Sequence, residues 1–134
     1  MFAQSAQKQQ GIEGVWDVRI TVVQCDTGKV ISTGGRAMLM FINGGRVTDI
    51  TLDFLHSTSL GTWHHLRGRN YTAVNRFFVF KADGSFAGTQ ATTTDINLSR
   101  NADEYAATAT FEFSDPADQL ISSGCATSTA TRFE

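Results

Sequence analysis

The sequence predicts an all-β protein, eight antiparallel strands in simple succession wrapped into a closed up-and-down barrel. Three observations carry this expectation. Segments of alternating apolar and polar residues recur along the chain, each joined to the next by a short turn. Seventeen Thr and ten Phe stand against three Lys and one Pro, and branched and aromatic side chains suit a pleated, half-buried surface. The two ends, Gly14-Val15-Trp16 and Thr131-Arg132-Phe133, complement each other if the first and last strands pair.

Residues 1–12 read as a polar, disordered tail and 13–134 as a single barrel domain, because 134 residues suffice for one sizeable core. The Gln-rich opening lacks the basic start and apolar middle of a signal peptide, although Ala3, Ser5 and Ala6 resemble the small-residue end of a removed one. The first strand spans Glu13 to Cys25, with Trp16, Val18, Ile20 and Val22 inward at a period of two. Asp26-Thr27-Gly28-Lys29 turns the chain into a second strand, Val30 to Asn43, whose Gly34-Gly35 pair suits a bend at a barrel corner. Asn43-Gly44-Gly45 is a hairpin signal. A third strand follows, Arg46 to Phe54, with Ile50, Leu52 and Phe54 expected inside and Asp49 and Asp53 facing water.

After a polar connection from His56 to Leu60, Trp63 to Arg67 forms a short fourth strand and Tyr71 to Lys81 a fifth. Phe86 to Leu98 and Glu104 to Ser114 follow, and Pro116 ends the latter because proline cannot continue a ladder. Gln119 to Phe133 is the last strand. No connection is long enough for a crossover helix, which excludes a parallel sheet.

Closure of the barrel can be tested on the numbering. If Trp16 lies opposite Arg132, Cys25 and Cys125 sit one diagonal step apart, and the even offset keeps both pairs on consistent faces. Trp16 and Arg132 then point inward and the cysteines outward. A Cys25–Cys125 disulfide would close a loop of 100 residues, worth about 4–5 kcal/mol in chain entropy. The alternative is two free thiols in a reducing cytosol.

A Gly-x-Trp at the head of the first strand, a meander of eight strands and a late Arg placed to cover that Trp resemble the lipocalin and wider calycin pattern over Gly14 to Phe133. The chain departs from true lipocalins in having no C-terminal helix after the last strand. The resemblance implies a calycin-like barrel with an interior cavity. Trp16 capped by Arg132 is expected to be structural, a plug at one barrel end, with a cation–π contact of about 0.5–2 kcal/mol.

Composition narrows the partners. A net charge of −2 lacks the basic footprint of nucleic-acid binding, and no apolar run reaches the roughly 20 residues of a membrane helix. There is no phosphate loop, nucleophile elbow or metal-spaced Cys/His set, so no catalytic residue, metal or cofactor is assigned.

The expected ligand contacts are Trp63, His65, Arg67 and Tyr71 on and after the fourth strand, with Arg76, Phe78 and Phe80 on the fifth. Gln90, Tyr105 and Phe111 complete the set. If Trp63, His65 and Arg67 face the cavity, they suit an anionic or carbonyl-bearing ligand; the alternative for them is an exposed polar edge. The leading expectation is a barrel that binds a small, mostly apolar molecule inside, secreted or periplasmic if the disulfide forms and otherwise cytoplasmic. The rivals are a barrel enzyme, a cyclase, isomerase or decarboxylase acting on an unsaturated or phenolic substrate, and a homodimeric interaction module using Val15, Val23 and Phe133. The enzyme requires His65, Arg76 and Tyr71 or Tyr105 to converge in one open cavity.

Overall fold

Each predicted alternating segment becomes a strand in the computed structural model, which describes residues 11–133. In chain order these are β1 (Gly14–Val23), β2 (Val30–Ile42), β3 (Arg46–Thr51), β4 (Ser59–Arg67), β5 (Asn70–Phe80), β6 (Phe86–Leu98), β7 (Glu104–Ser114) and β8 (Leu120–Arg132). Neighbours in sequence are neighbours in the sheet, all pairs are antiparallel, and β8 returns to β1 to close the barrel. The fold is an all-β, eight-stranded up-and-down barrel of calycin-like architecture. Among the described residues no helix is long and apolar enough to cross a membrane.

The closing seam runs from Trp16 opposite Arg132 to Val23 opposite Cys125 without a register shift. Cys25, just past the end of β1, reaches diagonally to Cys125, with 5.2 Å between their Cα atoms in the disulfide. The expected bend at Gly34-Gly35 is a bulge in the β1–β2 ladder: Gly35 faces Ile20 but Ser32 faces Val22. Gly34 supplies the left-handed backbone there, at φ +93°.

The expected tail over residues 1–12 lies mostly outside the described residues. Its last member, Ile12, is fully buried. It packs under the barrel with Trp16, Phe41, Val47, Tyr71 and Leu98 in one cluster. This core fills one end of the barrel. Trp16 Nε1 donates to the Ile12 carbonyl at 2.9 Å, and the Arg132 guanidinium lies 4.3 Å above the Trp16 ring. Arg132 also donates to three carbonyls, Ala102 at 2.8 Å and Glu13 and Gly11 at 2.7 Å each. A large ring, an arginine fork and the incoming chain thus seal this end.

Two strands present the face opposite to the expected one. On β3, Val47 is buried, whereas Ile50, Leu52 and Phe54 are 58%, 79% and 91% exposed. The strand ends at Thr51. Asp49 faces inward, opposite Leu39 on β2 and Ser59 on β4. On β5, Ala73 and Asn75 are buried and Arg76 and Phe78 exposed. Both strands carry apolar residues on both faces, so alternation could not identify the inner one, and pairing with neighbours of known phase does. On the outside, Ile50 of β3 lies opposite Met38 of β2, and Met40 of β2 and Leu60 of β4 flank Thr48, all four apolar side chains being exposed. Of the outward residues expected to build a dimer, Val23 is buried, Val15 half-buried and Phe133 exposed.

A candidate ligand site in the open half of the barrel

Beyond the Trp16 layer the barrel is hollow, with a cavity of about 410 Å³. Its apolar wall comes from Val18, Ile20 and Val22 of β1, Leu39 of β2, Phe77 of β5 and Phe111 of β7. Phe111 sits opposite Gly124 on β8, and its ring occupies the space a β-carbon there would need. Ala126 and Ser128 continue β8 along the wall. The small side chains of the last strand therefore accommodate a large one at one level and leave open volume at the next.

The floor is Tyr105. Its ring lies 4.9 Å from Trp16 and 6.3 Å from Phe41, and burial, reinforced by the charge of Asp49, pushes its phenol well above the ordinary tyrosine range. The hydroxyl is thus neutral and available to donate.

The polar wall centres on Asp49 and Ser59. Ser59 is fully buried; its Oγ accepts from the Asp49 amide at 3.1 Å and from Asn75 Nδ2 at 3.0 Å. Thr48 Oγ1 donates to the Ser59 carbonyl at 2.7 Å, fastening β3 to β4. Burial raises the Asp49 carboxyl above the usual carboxylate range, opposed in part by the Ser59 hydroxyl and by His56. Asp49 forms no ion pair among the described residues. Gln90, Thr92 and Thr94 of β6 complete this side.

At the mouth, His56 Nε2 is 3.2 Å from Asp53 Oδ2, and its Nδ1 is 3.4 Å from Thr51 Oγ1. Its ring packs 4.6 Å from Phe77. Asp53 Oδ1 in turn accepts from the Leu55 amide at 2.9 Å, which holds the carboxylate in place. Among the described residues, no three His, Cys, Asp or Glu are grouped to hold a metal ion.

Of the ten residues expected to contact a ligand, Gln90, Tyr105 and Phe111 line this cavity. Trp63, His65 and Tyr71 come together elsewhere, on the outside of the sealed end. Trp63 and Tyr71 rings are 5.9 Å apart and His65 and Tyr71 rings 4.7 Å apart. Trp63 Nε1 donates to the Ile42 carbonyl and His65 Nε2 lies 2.7 Å from the Gly68 carbonyl. They border a depression with Glu13 and Arg69, separated from the lumen by the Trp16 layer.

A register shift between His65 and Arg67 breaks the shared face expected for these two. Arg67 is exposed and lines neither the depression nor the lumen. Arg76, Phe78 and Phe80 also lie outside the cavity, Phe78 packing against Phe86 at 5.7 Å on the outer surface. His65, Arg76 and Tyr105 therefore do not converge.

Sequence reasoning missed Asp49, Thr51, His56, Asn75 and Phe77. The first two followed from the wrong face of β3, the last two from the wrong face of β5. His56 sat in a segment read as a connection, where the Asp53-x-x-His56 spacing was the available signal. Comparison with family models, curated proteins and solved structures finds no match to this chain.

Proposed function

We propose that this chain is a calycin-like carrier barrel that holds a small, mostly apolar molecule in its lumen, in an oxidising, secreted or periplasmic setting. The carrying observation is the 410 Å³ cavity, closed at one end and open at the other, within the roughly 300–1,000 Å³ of small-molecule sites. Its wall is mainly apolar, with a few polar groups in fixed positions, the composition that such sites use to bury a ligand and orient it. The Cys25–Cys125 disulfide supports the oxidising setting. Binding is favoured over catalysis because the His, Arg and Tyr set that an enzymatic barrel called for is dispersed over three regions.

Titration with the neutral fluorophore N-phenyl-1-naphthylamine tests the reading, together with native mass spectrometry for a retained molecule. Saturable fluorescence enhancement is expected, lost in Ala109→Trp, which places an indole in the cavity. Enhancement that is absent, or unchanged in that variant, would reject lumen binding.

A further inference from the structure

We propose that the lumen selects a positively charged ligand, an aromatic or similarly apolar body bearing a protonated amine that pairs with Asp49; this deepens the carrier reading and rests on it. The charges lining the cavity carry the inference. Arg36 is the one lysine or arginine among the described lining residues, and its guanidinium is turned to Asp17, donating from Nε at 3.1 Å and from Nη2 at 3.0 Å. Asp53, at the mouth, is partly exposed to water and lies 3.2 Å from His56. Asp49 alone stands inside without a cation among the described residues.

A carboxylate in a desolvated wall that has no ion-pair partner, and whose burial the Ser59 hydroxyl and His56 offset only in part, is stabilised by taking a proton or gaining a counter-ion. An ammonium group supplies that counter-ion and three donors. Asp49, Asn75 and Tyr105 all line the cavity, and each carries an oxygen able to accept from that ammonium. Phe77, Phe111 and Tyr105 then surround the apolar body, and an aromatic face near a desolvated cation adds attraction of its own. Anionic ligands such as fatty acids meet the opposite situation, since no free guanidinium or ammonium faces the lumen among the described residues.

The test is displacement of bound N-phenyl-1-naphthylamine from the intact, disulfide-bonded protein by three ligands of similar shape: tryptamine (cationic), 3-methylindole (neutral) and indole-3-acetate (anionic). Tryptamine is expected to displace at least about tenfold more tightly than 3-methylindole, the scale of one charge-assisted hydrogen bond, and indole-3-acetate most weakly. Asp49→Asn should bring the ratio of tryptamine to 3-methylindole affinity down to about one, whatever its effect on the neutral ligand; far-UV circular dichroism checks its fold, and Tyr105→Phe, which keeps the ring, should lower that ratio less.

Lowering the pH should weaken tryptamine binding as Asp49 takes up a proton. Asp49 shares the cavity with Asp53 and His56 from the β3–β4 loop and Tyr105 from β7, and its amide is bonded to Ser59 of β4. Because positive charge gained at the mouth repels a cation and not a neutral indole, the control is Asp49→Asn, whose tryptamine binding should lose less than the parent's as the pH falls. Equal displacement by tryptamine and 3-methylindole, or an advantage that survives Asp49→Asn, overturns the amine inference while leaving the carrier reading standing. Failure of the fluorophore itself to bind overturns both.

Discussion

Arg132 shows how one side chain can hold two ends of a chain. Its donors reach carbonyls of the entering segment, Gly11 and Glu13, and of the β6–β7 turn, Ala102, while its flat face covers Trp16. Arg132→Ala is expected to cost about 3 kcal/mol, since hydrogen bonds to charged groups are worth about 1.5–3 kcal/mol each and water replaces part of the loss. Arg132→Lys should recover only part of this, because a point charge lacks the planar fork that spans separate segments. Urea denaturation of the three proteins measures both.

Asp49 makes the opposite contribution to stability. Burial raises its folded-state pKa, so between the ordinary carboxylate value and the raised one the folded protein keeps a proton that the unfolded chain releases. Stability therefore falls as pH rises through that window, and the cost persists above it. Asp49→Asn should be no more stable than the parent at about pH 3 and more stable at about pH 7, as read from urea midpoints at each pH. A constant difference across that range would show that Asp49 is compensated in the folded state.

At the level of strands, close approach of backbones sets the tolerance to change. A β-carbon on Gly61 would run into the Val74 carbonyl across the β4–β5 ladder. Backbone cannot yield as a flexible side chain does, so Gly61→Ala is expected to cost about 3 kcal/mol or more. Gly84, in the β5–β6 turn at φ +88°, has open space around it; Gly84→Ala should cost only about 1–2 kcal/mol, the penalty of a left-handed backbone. Thermal unfolding of the pair separates the two causes.

The same strands show how far alternation can be read. β1 and β7 were legible because one face is consistently apolar and small or polar residues occupy the other. β3 was not, because Val47 lies on one face and Ile50 on the other, and Leu52, read as the strand's inner side, falls past its end at Thr51 on the cavity rim. Asp49 was thereby assigned to water. β5 has the same ambiguity, with Phe77 inside and Phe78 outside, and its expected contacts Arg76, Phe78 and Phe80 went to the wrong side with it.

For the whole molecule, the β1–β8 seam is fastened at both ends, by Arg132 at the sealed end and by the disulfide near the open one. The disulfide bridges a sequence separation of 100 residues. Replacing both cysteines by serine should lower stability by about 4 kcal/mol, mainly by freeing the unfolded chain. Reductant should shift the denaturation midpoint of the parent and leave that of the double variant unmoved.

Local pattern by itself determined the strand count, the order of pairing, the closing register and the Trp16–Arg132 pair at the sealed end. Each of these follows from chain-neighbour spacing or from one complementary pair, information that a linear sequence holds directly. Only the tertiary structure decided which face of β3 and β5 turns inward, and hence that the lumen carries Asp49, His56, Asn75 and Phe77 in place of Arg67, Arg76 and Phe78. The physical reason is that a strand apolar on both sides has no phase of its own. Hydrogen-bonded register with its two neighbours imposes one, and in this protein that register places an unpaired acid inside the barrel.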